Sequence, residues 1–246
     1  MRDLYGLRVV DLKTGTISSL LPNIVTSGGM AFDGDKTLYI ASPHSASLGP
    51  GSAPNDQVWA IDLTTSTPTV IAGNGSSDQF PSGDGGPATQ APLYDVRGLA
   101  LDGQGNLYLA DNRASNVRQV NPATGIIQTI VAKHPDNNPF QFGYSGDGGL
   151  AVDATLDAPT GLVYDGNGHL IVLDSGNDVL RQIDLKTNII TTTAGDHVRG
   201  FGGDGSAPTS AMIYYPLAAT FDPNGNLFLA DSYTTVCAAC SCIRQN

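Results

Sequence analysis

Hydrophobic and polar positions fall into short runs that return in the same order along the chain. Met30-Ala31-Phe32-Asp33 leads to Leu38-Tyr39-Ile40-Ala41, and Leu99-Ala100-Leu101-Asp102 to Leu107-Tyr108-Leu109-Ala110-Asp111. Leu162-Val163-Tyr164-Asp165 leads to Leu170-Ile171-Val172-Leu173-Asp174, and Ala219-Thr220-Phe221-Asp222 to Leu227-Phe228-Leu229-Ala230-Asp231. Each copy is an apolar run, a turn built on Asp-Gly-x-Gly-Asn or a variant, and a second apolar run, the pattern of a β-hairpin. Self-similarity at a long period marks a repeat architecture.

A third segment alternates apolar and polar residues, as a strand with one buried face does: Leu7-Arg8-Val9-Val10-Asp11-Leu12, Val58-Trp59-Ala60-Ile61-Asp62-Leu63, Val117-Arg118-Gln119-Val120-Asn121 and Leu180-Arg181-Gln182-Ile183-Asp184-Leu185. A turn follows at Thr14-Gly15, Thr124-Gly125 or Thr187-Asn188, and then a β-branched run at 126–131 or 189–193, with Pro68-Thr69-Val70-Ile71 as the weaker copy. Pro68 fits only an edge strand, whose outer side needs no ladder partner. Four strands per unit, the last edge-tolerant, make an all-β protein with the blades of a β-propeller. The repeats start near residues 28, 97, 160 and 217, the last incomplete, with the third and fourth strands of an earlier blade over 5–21, in a single domain 1–246.

Equivalent turn aspartates are 69 residues apart from Asp33 to Asp102, 63 to Asp165 and 57 to Asp222. A propeller blade of the WD type needs about 40–45, so each unit carries extra loop. The excess is itself repeated, as Ser82-Gly83-Asp84-Gly85-Gly86-Pro87-Ala88-Thr89, Ser145-Gly146-Asp147-Gly148-Gly149-Leu150-Ala151 and Gly202-Gly203-Asp204-Gly205-Ser206-Ala207-Pro208-Thr209. This loop, followed by Arg-Gly-Leu-Ala-Leu-Asp, Gly-Asn-Leu-Tyr-Leu-Ala-Asp and Asn-Val-Arg-Gln-Val, closely resembles the NHL-repeat proteins over nearly the whole chain. The resemblance implies a β-propeller, usually six-bladed in that family. It implies fold more firmly than activity, because propellers host unrelated functions.

Leu7–Leu12 and Cys242-Ile243-Arg244-Gln245 both match the third strand, so the chain holds about four blades' worth of strands. Either its N-terminal strands pair with its C-terminal hairpin to close a ring, or it is a fragment of a longer, six-bladed propeller. The fragment is the preferred reading, and open blade edges would then invite self-association.

The 246 residues carry 12 basic and 23 acidic side chains, a formal net charge of -11. That balance lacks the basic footprint a nucleic acid requires. No apolar stretch approaches the roughly 18–20 residues of a membrane-spanning helix. The partners expected are a protein, a peptide or a small-molecule ligand. Cys237, Cys240 and Cys242 sit together in a stretch absent from the other hairpins. Zinc wants a fourth ligand and none is adjacent, so a disulfide from Cys237 to Cys240 or Cys242, or free thiols, is the expectation. An odd cysteine count leaves the compartment open, with an extracellular or periplasmic setting the better fit.

Several recurrent residues invite a functional reading. The turn aspartates Asp33, Asp102, Asp165 and Asp222 could suggest calcium, but none has the dense oxygen alternation of a calcium loop, and Asp with Gly satisfies a hairpin turn directly. Asp111, Asp174 and Asp231 end second strands, whose following loops leave a propeller on the same face as those of Asp84, Asp147 and Asp204. These six carboxylates, with Arg97 beside them, form the candidate binding face, an acidic rim that would attract a cation or a basic peptide. Arg8, Arg118, Arg181 and Arg244 recur at one position of the third strand, with Trp59 in the second unit, and read as ion-pair partners of repeated aspartates. His134 and His197 occupy matching positions past fourth strands and, with the three cysteines, are the weaker metal candidates. No cofactor is expected, calcium and zinc being the ions these candidates would take.

Similar propellers include lyases and lactone or ester hydrolases with a metal at the channel mouth. The innermost runs here offer no carboxylate or imidazole to a central ion, and the polar residues nearest their starts, Asp95, Arg97, Asp157, Thr160 and Tyr215, are a mixed set. No Gly-x-Ser-x-Gly, His-Glu-x-x-His or phosphate loop is present. The reading is a non-catalytic interaction scaffold, with a propeller lyase or hydrolase as the alternative and a sensor module on a further signalling domain as a third.

Overall fold

The computed structural model describes residues 6–22, 28–42, 56–76, 82–134, 141–232 and 241–244. A hairpin of β1 (Gly6–Asp11) and β2 (Thr16–Pro22) precedes three four-stranded antiparallel sheets. The first contains β3 (Met30–Phe32), β4 (Thr37–Ser42), β5 (Gln57–Asp62) and β6 (Thr67–Ala72). The second contains β7 (Val96–Leu101), β8 (Leu107–Asp111), β9 (Asn116–Val120) and β10 (Ile127–Val131). The third contains β11 (Gly161–Tyr164), β12 (His169–Asp174), β13 (Val179–Asp184) and β14 (Ile189–Ala194). A fourth, of three described strands, contains β15 (Pro216–Phe221), β16 (Asn226–Asp231) and β17 (Ser241–Arg244). Strands neighbour one another in chain order within every sheet, which is the blade of a β-propeller, and Pro68 lies on the outer strand β6.

The apolar alternation explains how the sheets stack. One buried cluster joins Val58, Ala72 and Ala41 of the first sheet to Leu99, Leu109 and Ile127 of the second. The next joins Tyr108 and Val117 to Leu162, Leu170 and Ile190 of the third, and another joins Ile171 and Leu180 to Leu227 and Leu229 of the fourth. Each leucine or isoleucine so buried contributes about 1.5–3 kcal/mol. The innermost strands pack in the order β3, β7, β11, β15. At the ends of this row Val9, Val10 and Ile17 on the hairpin and Leu217 on β15 stay exposed. The N-terminal hairpin and β15–β17 are separate sheets, so among the described residues the first strands do not pair with the last.

The turn aspartates serve the backbone. Asp102 Oδ1 accepts the N–H groups of Gln104 and Asn106 at 2.8 and 2.9 Å, and Asp33, Asp165 and Asp222 do the same in their own turns. These hydrogen bonds hold Asp33 down to about 2. The antiparallel order sends the first hairpin turn and the turn after the third strand to one end of each sheet, here the turn face. The connections after the second and fourth strands leave from the other end, the loop face.

Candidate functional site

The aspartates that end second strands are turned inward. Asp111 Oδ2 accepts the backbone N–H of Tyr94 at 2.8 Å, Asp174 Oδ1 that of Asp157 at 2.7 Å, and Asp231 Oδ1 that of Tyr214 at 2.9 Å. In these three sheets the carboxylate thereby fixes the chain just before the innermost strand, whereas β4 of the first sheet ends on Ser42. Asp111 and Asp174 are fully buried, and that burial pushes both up to about 7.

The repeated glycine-rich loops run along the outer strands. Gly85 N–H donates to Ile127 O at 2.9 Å, and Gly148 N–H to Ile190 O at 2.8 Å. Their aspartates reach the third strand, where Arg118 meets Asp84 at 2.8 Å and Arg181 meets Asp147 at 2.7 Å, both guanidiniums being fully buried. Arg118 also donates to the carbonyls of Pro92 and Ser82, and Arg181 to those of Thr155 and Ser145. The recurrent arginine is thus the bolt that fastens each loop to its sheet. Arg8 is exposed on β1, and the Arg244 side chain lies outside the described residues.

The acidic rim is therefore corrected. Asp111 and Asp174 are interior groups, Asp84 and Asp147 are held by buried arginines, and of the six only Asp204 is exposed without a described ion pair. A carboxylate at a strand end on the right face can point inward to an N–H as well as outward to solvent, and here Asp111 and Asp174 point inward, to the N–H groups of Tyr94 and Asp157.

The exposed chemistry of the loop face is arginine on tyrosine. Arg113 lies over the Tyr94 ring, 5.2 Å from its centroid, and donates to its hydroxyl at 3.3 Å. Arg199 lies over Tyr214 at 5.5 Å. Both cations are anchored by nearly buried carboxylates: Arg97 donates to Asp95 Oδ2 at 2.9 Å with Arg113 at 3.6 Å, and Arg199 donates to Asp178 Oδ2 at 2.9 Å. Asp95, Ala158 and Tyr215 share one repeat position and a positive φ. Their N–H groups donate to Asp56, Ser115 and Asp178 of the preceding sheet, so these clamps tie neighbouring blades together where the face is built. Tyr94 and Tyr214 occupy equivalent positions of the repeat, where the third unit has Asp157, a recurrence legible in the sequence.

The other candidates fall apart from this cluster. His134 Nε2 lies 2.7 Å from Ala114 O, and burial lowers its pKa. His197 Nδ1 lies 3.2 Å from Asn177 O, and its ring packs edge-on against Tyr144. Cys237 and Cys240, with the side chain of Cys242, lie outside the described residues. Asp157 is half-buried, and Thr160 is buried with its Oγ1 at 2.7 Å from Pro216 O. Among the described residues no three His, Cys, Asp or Glu side chains gather as a metal site. A cleft of about 410 Å³ between the first two sheets, bordered by Tyr39, Ile71, Leu107 and Asn121, opens away from this chemistry.

The Teneurin NHL domain model matches residues 37–138. Teneurin-1 of Caenorhabditis elegans is 31% identical over 173 residues, 66% of this chain and 6% of that protein. Human NHL repeat-containing protein 2 is 28% identical over 196 residues, 72% of this chain and 24% of that protein. SUPPRESSOR OF QUENCHING 1, chloroplastic, of Arabidopsis thaliana is 26% identical over 179 residues, 72% of this chain and 16% of that protein. The chain spans about a quarter or less of the length of these relatives. Among solved structures, an auxiliary nutrient binding protein from Bacteroides ovatus superposes with a TM-score of 0.63 at 15% identity, over 94% of this chain and 52% of that one. A chain of a nidogen/laminin complex does so at 0.53 and 16%, over 91% and 81%. At such identities these two show the fold alone.

Proposed function

We propose that this chain, which belongs to the NHL-repeat family, is a non-catalytic binding scaffold that takes a protein or peptide partner on its loop face. The observation that carries this reading is the recurrence of an exposed arginine stacked on a tyrosine, Arg113 on Tyr94 and Arg199 on Tyr214, each tethered to a carboxylate built into the blade junction. Tyrosine and arginine are the side chains most enriched at the energetic centres of interfaces, and anchoring them in advance lowers the entropy lost on binding. Arg97 extends the same patch, and Asp204 and Asp231 border it. Likeness to a nutrient-binding protein and to a nidogen/laminin complex supports a binding role for this architecture.

The test is a display selection of random peptides against the immobilised chain, followed by affinity measurements on single variants. Arg113→Ala and Tyr214→Ala are expected to weaken the selected binders about tenfold or more each. Lys36→Ala and Lys186→Ala, in turns of the opposite face, should leave them unchanged. Binders indifferent to Arg113, Arg199 and both tyrosines, or no binder at all, would overturn the reading.

A further inference from the structure

Tyr39 of β4 and Ala60 of β5 are register partners in the first sheet, as Tyr108 of β8 and Gln119 of β9 are in the second. In the second sheet the pair closes on itself: the Tyr108 hydroxyl donates to Asp102 Oδ2 at 2.9 Å and accepts from Gln119 Nε2 at 3.2 Å, and Tyr108 is buried. The third sheet also carries a glutamine at this position, Gln182, whereas the first has only the methyl group of Ala60. There the space is open, as the cleft of about 410 Å³ between the first two sheets.

Tyr39 and Ala60 both border this cleft, with Ile71 from their own sheet and Pro87, Leu107 and Pro122 from the second repeat. Its walls are mainly apolar, and among the described residues no charged side chain lies on them. Tyr39 is half-buried, and among the described residues its hydroxyl makes neither of the two bonds that Tyr108 makes. Burial, and then the Asp33 carboxylate, raise the Tyr39 pKa above the ordinary tyrosine value, so the phenol keeps its proton at neutral pH and brings no charge to the cleft. Sites for small molecules have volumes of about 300–1,000 Å³, largely apolar walls and a few placed polar groups.

We propose that this cleft binds a small uncharged molecule with an apolar body and a carboxamide, whose N–H donates to the Tyr39 hydroxyl as the Gln119 amide donates to Tyr108. The apolar body packs against Ile71, Leu107 and Pro122, which supply most of the wall beside Ala60. An ionised ligand does not fit, because nothing on these walls pairs a charge taken out of water. The inference is independent of the loop-face reading: the turns at Gly105 and at Thr124-Gly125 border the cleft, which places it on the turn face, and the site needs neither Arg113 nor Arg199.

The probes are benzamide, benzoate, toluene and N-acetylglutamine methylamide, titrated into the whole chain while the amide resonances of Ala60 and Gly125, which border the cleft, are followed. Benzamide should bind with a Kd on the order of 1 mM, as a fragment of its size does. Toluene should bind at least about fivefold more weakly for want of the N–H, and benzoate at least about tenfold more weakly for its charge. Tyr39→Phe should weaken benzamide about fivefold and leave toluene unchanged. Ala60→Gln gives the first sheet the side chain that the second holds at this position, and should close the site and abolish the benzamide shifts. No shift at saturating benzamide, benzoate as tight as benzamide, or benzamide binding unmoved in Tyr39→Phe or in a folded Ala60→Gln variant would overturn the proposal. The glutamine derivative binding more tightly than benzamide would also overturn it, in favour of a partner protein's side chain. If Ala60→Gln does not fold, the benzamide, benzoate and Tyr39→Phe comparisons decide alone.

Discussion

The Asp178 carboxylate accepts the backbone N–H of Tyr215 at 2.9 Å across the junction between the third and fourth sheets. Its second oxygen holds Arg199, so one side chain fastens two blades and orients a cation of the loop face. The same junction is made by Asp56 on Asp95 at 2.8 Å and, in a weaker neutral form, by Ser115 on Ala158 at 3.2 Å.

Removing these clamps should rank by charge and burial. Asp178→Ala leaves a part-buried N–H unpaired and a cation untethered, and is expected to cost about 2–3 kcal/mol, whereas Ser115→Ala should cost about 0.5–1.5 kcal/mol. Urea denaturation of the two variants checks the order. Equal losses would mean that the junction is held by apolar packing alone.

The bolt arginines should be far less replaceable than their repeat suggests. Arg118→Met takes the donor from two carbonyls, Pro92 O and Ser82 O, and the guanidinium from Asp84, which keeps the Thr129 N–H and the Lys133 ammonium. Acceptors left unpaired in this way cost about 1–3 kcal/mol. Arg8, exposed on β1, occupies the same repeat position, and Arg8→Ala should stay within about 0.5 kcal/mol of the natural chain. Thermal unfolding midpoints measured side by side separate the two cases.

Acidity should stabilise this protein before it destabilises it. Burial holds Asp111 and Asp174 at about 7, above the value of 3.8 that each takes once exposed. The folded chain therefore binds more protons than the unfolded one between these values, and stability contributed by the two groups falls as pH rises from about 4 to about 7. Asp33, held near 2, and Asp147 and Asp165, lowered by their hydrogen bonds, act oppositely: their contribution is present above about 4 and is lost as pH falls below it. The urea midpoint, followed by Trp59 fluorescence, should rise on acidification from neutral pH and turn over near pH 4. Asp111→Asn and Asp174→Asn keep an acceptor for the Tyr94 and Asp157 N–H groups and should flatten the neutral limb. A midpoint that declines steadily from neutral pH downward contradicts the inward carboxylates.

The strands were legible because each is a local period, and the edge role of Pro68 because a missing N–H is a property of one residue. Arg118 and Asp84 were legible as partners in kind, and their spacing of 34 residues recurs for Arg181 and Asp147. The inward turn of Asp111 was not legible, since a strand-end position names a face of the propeller and not which way a carboxylate points. It depends on where the fold brings the Tyr94 N–H, 17 residues away, which donates to Asp111. Arg113 and Arg199 were missed for a related reason. Their tyrosines share a repeat position, but one arginine comes from the loop between β8 and β9 and the other from the connection after β14, so no alignment of the repeats brings them together.

The innermost strands meet at one repeat position, occupied by Gly29, Gly98, Gly161 and Ala218. A Cβ on Gly98 would stand 2.7 Å from Gly161 Cα and 2.9 Å from Leu162 N, and one on Gly29 would stand 2.8 Å from Leu99 N. These neighbours are backbone, so relief requires β7 and β11 to move apart and loosens the apolar clusters on either side. On Gly161 the nearest atom would be the end of the Leu173 side chain at 3.1 Å, which can rotate, with the next backbone atom at 3.6 Å. Gly98→Ala is accordingly expected to cost about 3 kcal/mol, at the upper end of overpacking, and Gly161→Ala about 1 kcal/mol. Ala218 stands at the same position of β15, the last innermost strand of the row, where no further described strand faces it. Chemical denaturation of both variants tests this asymmetry. A Gly161→Ala variant as damaged as Gly98→Ala would show that the strands are equally close at both junctions.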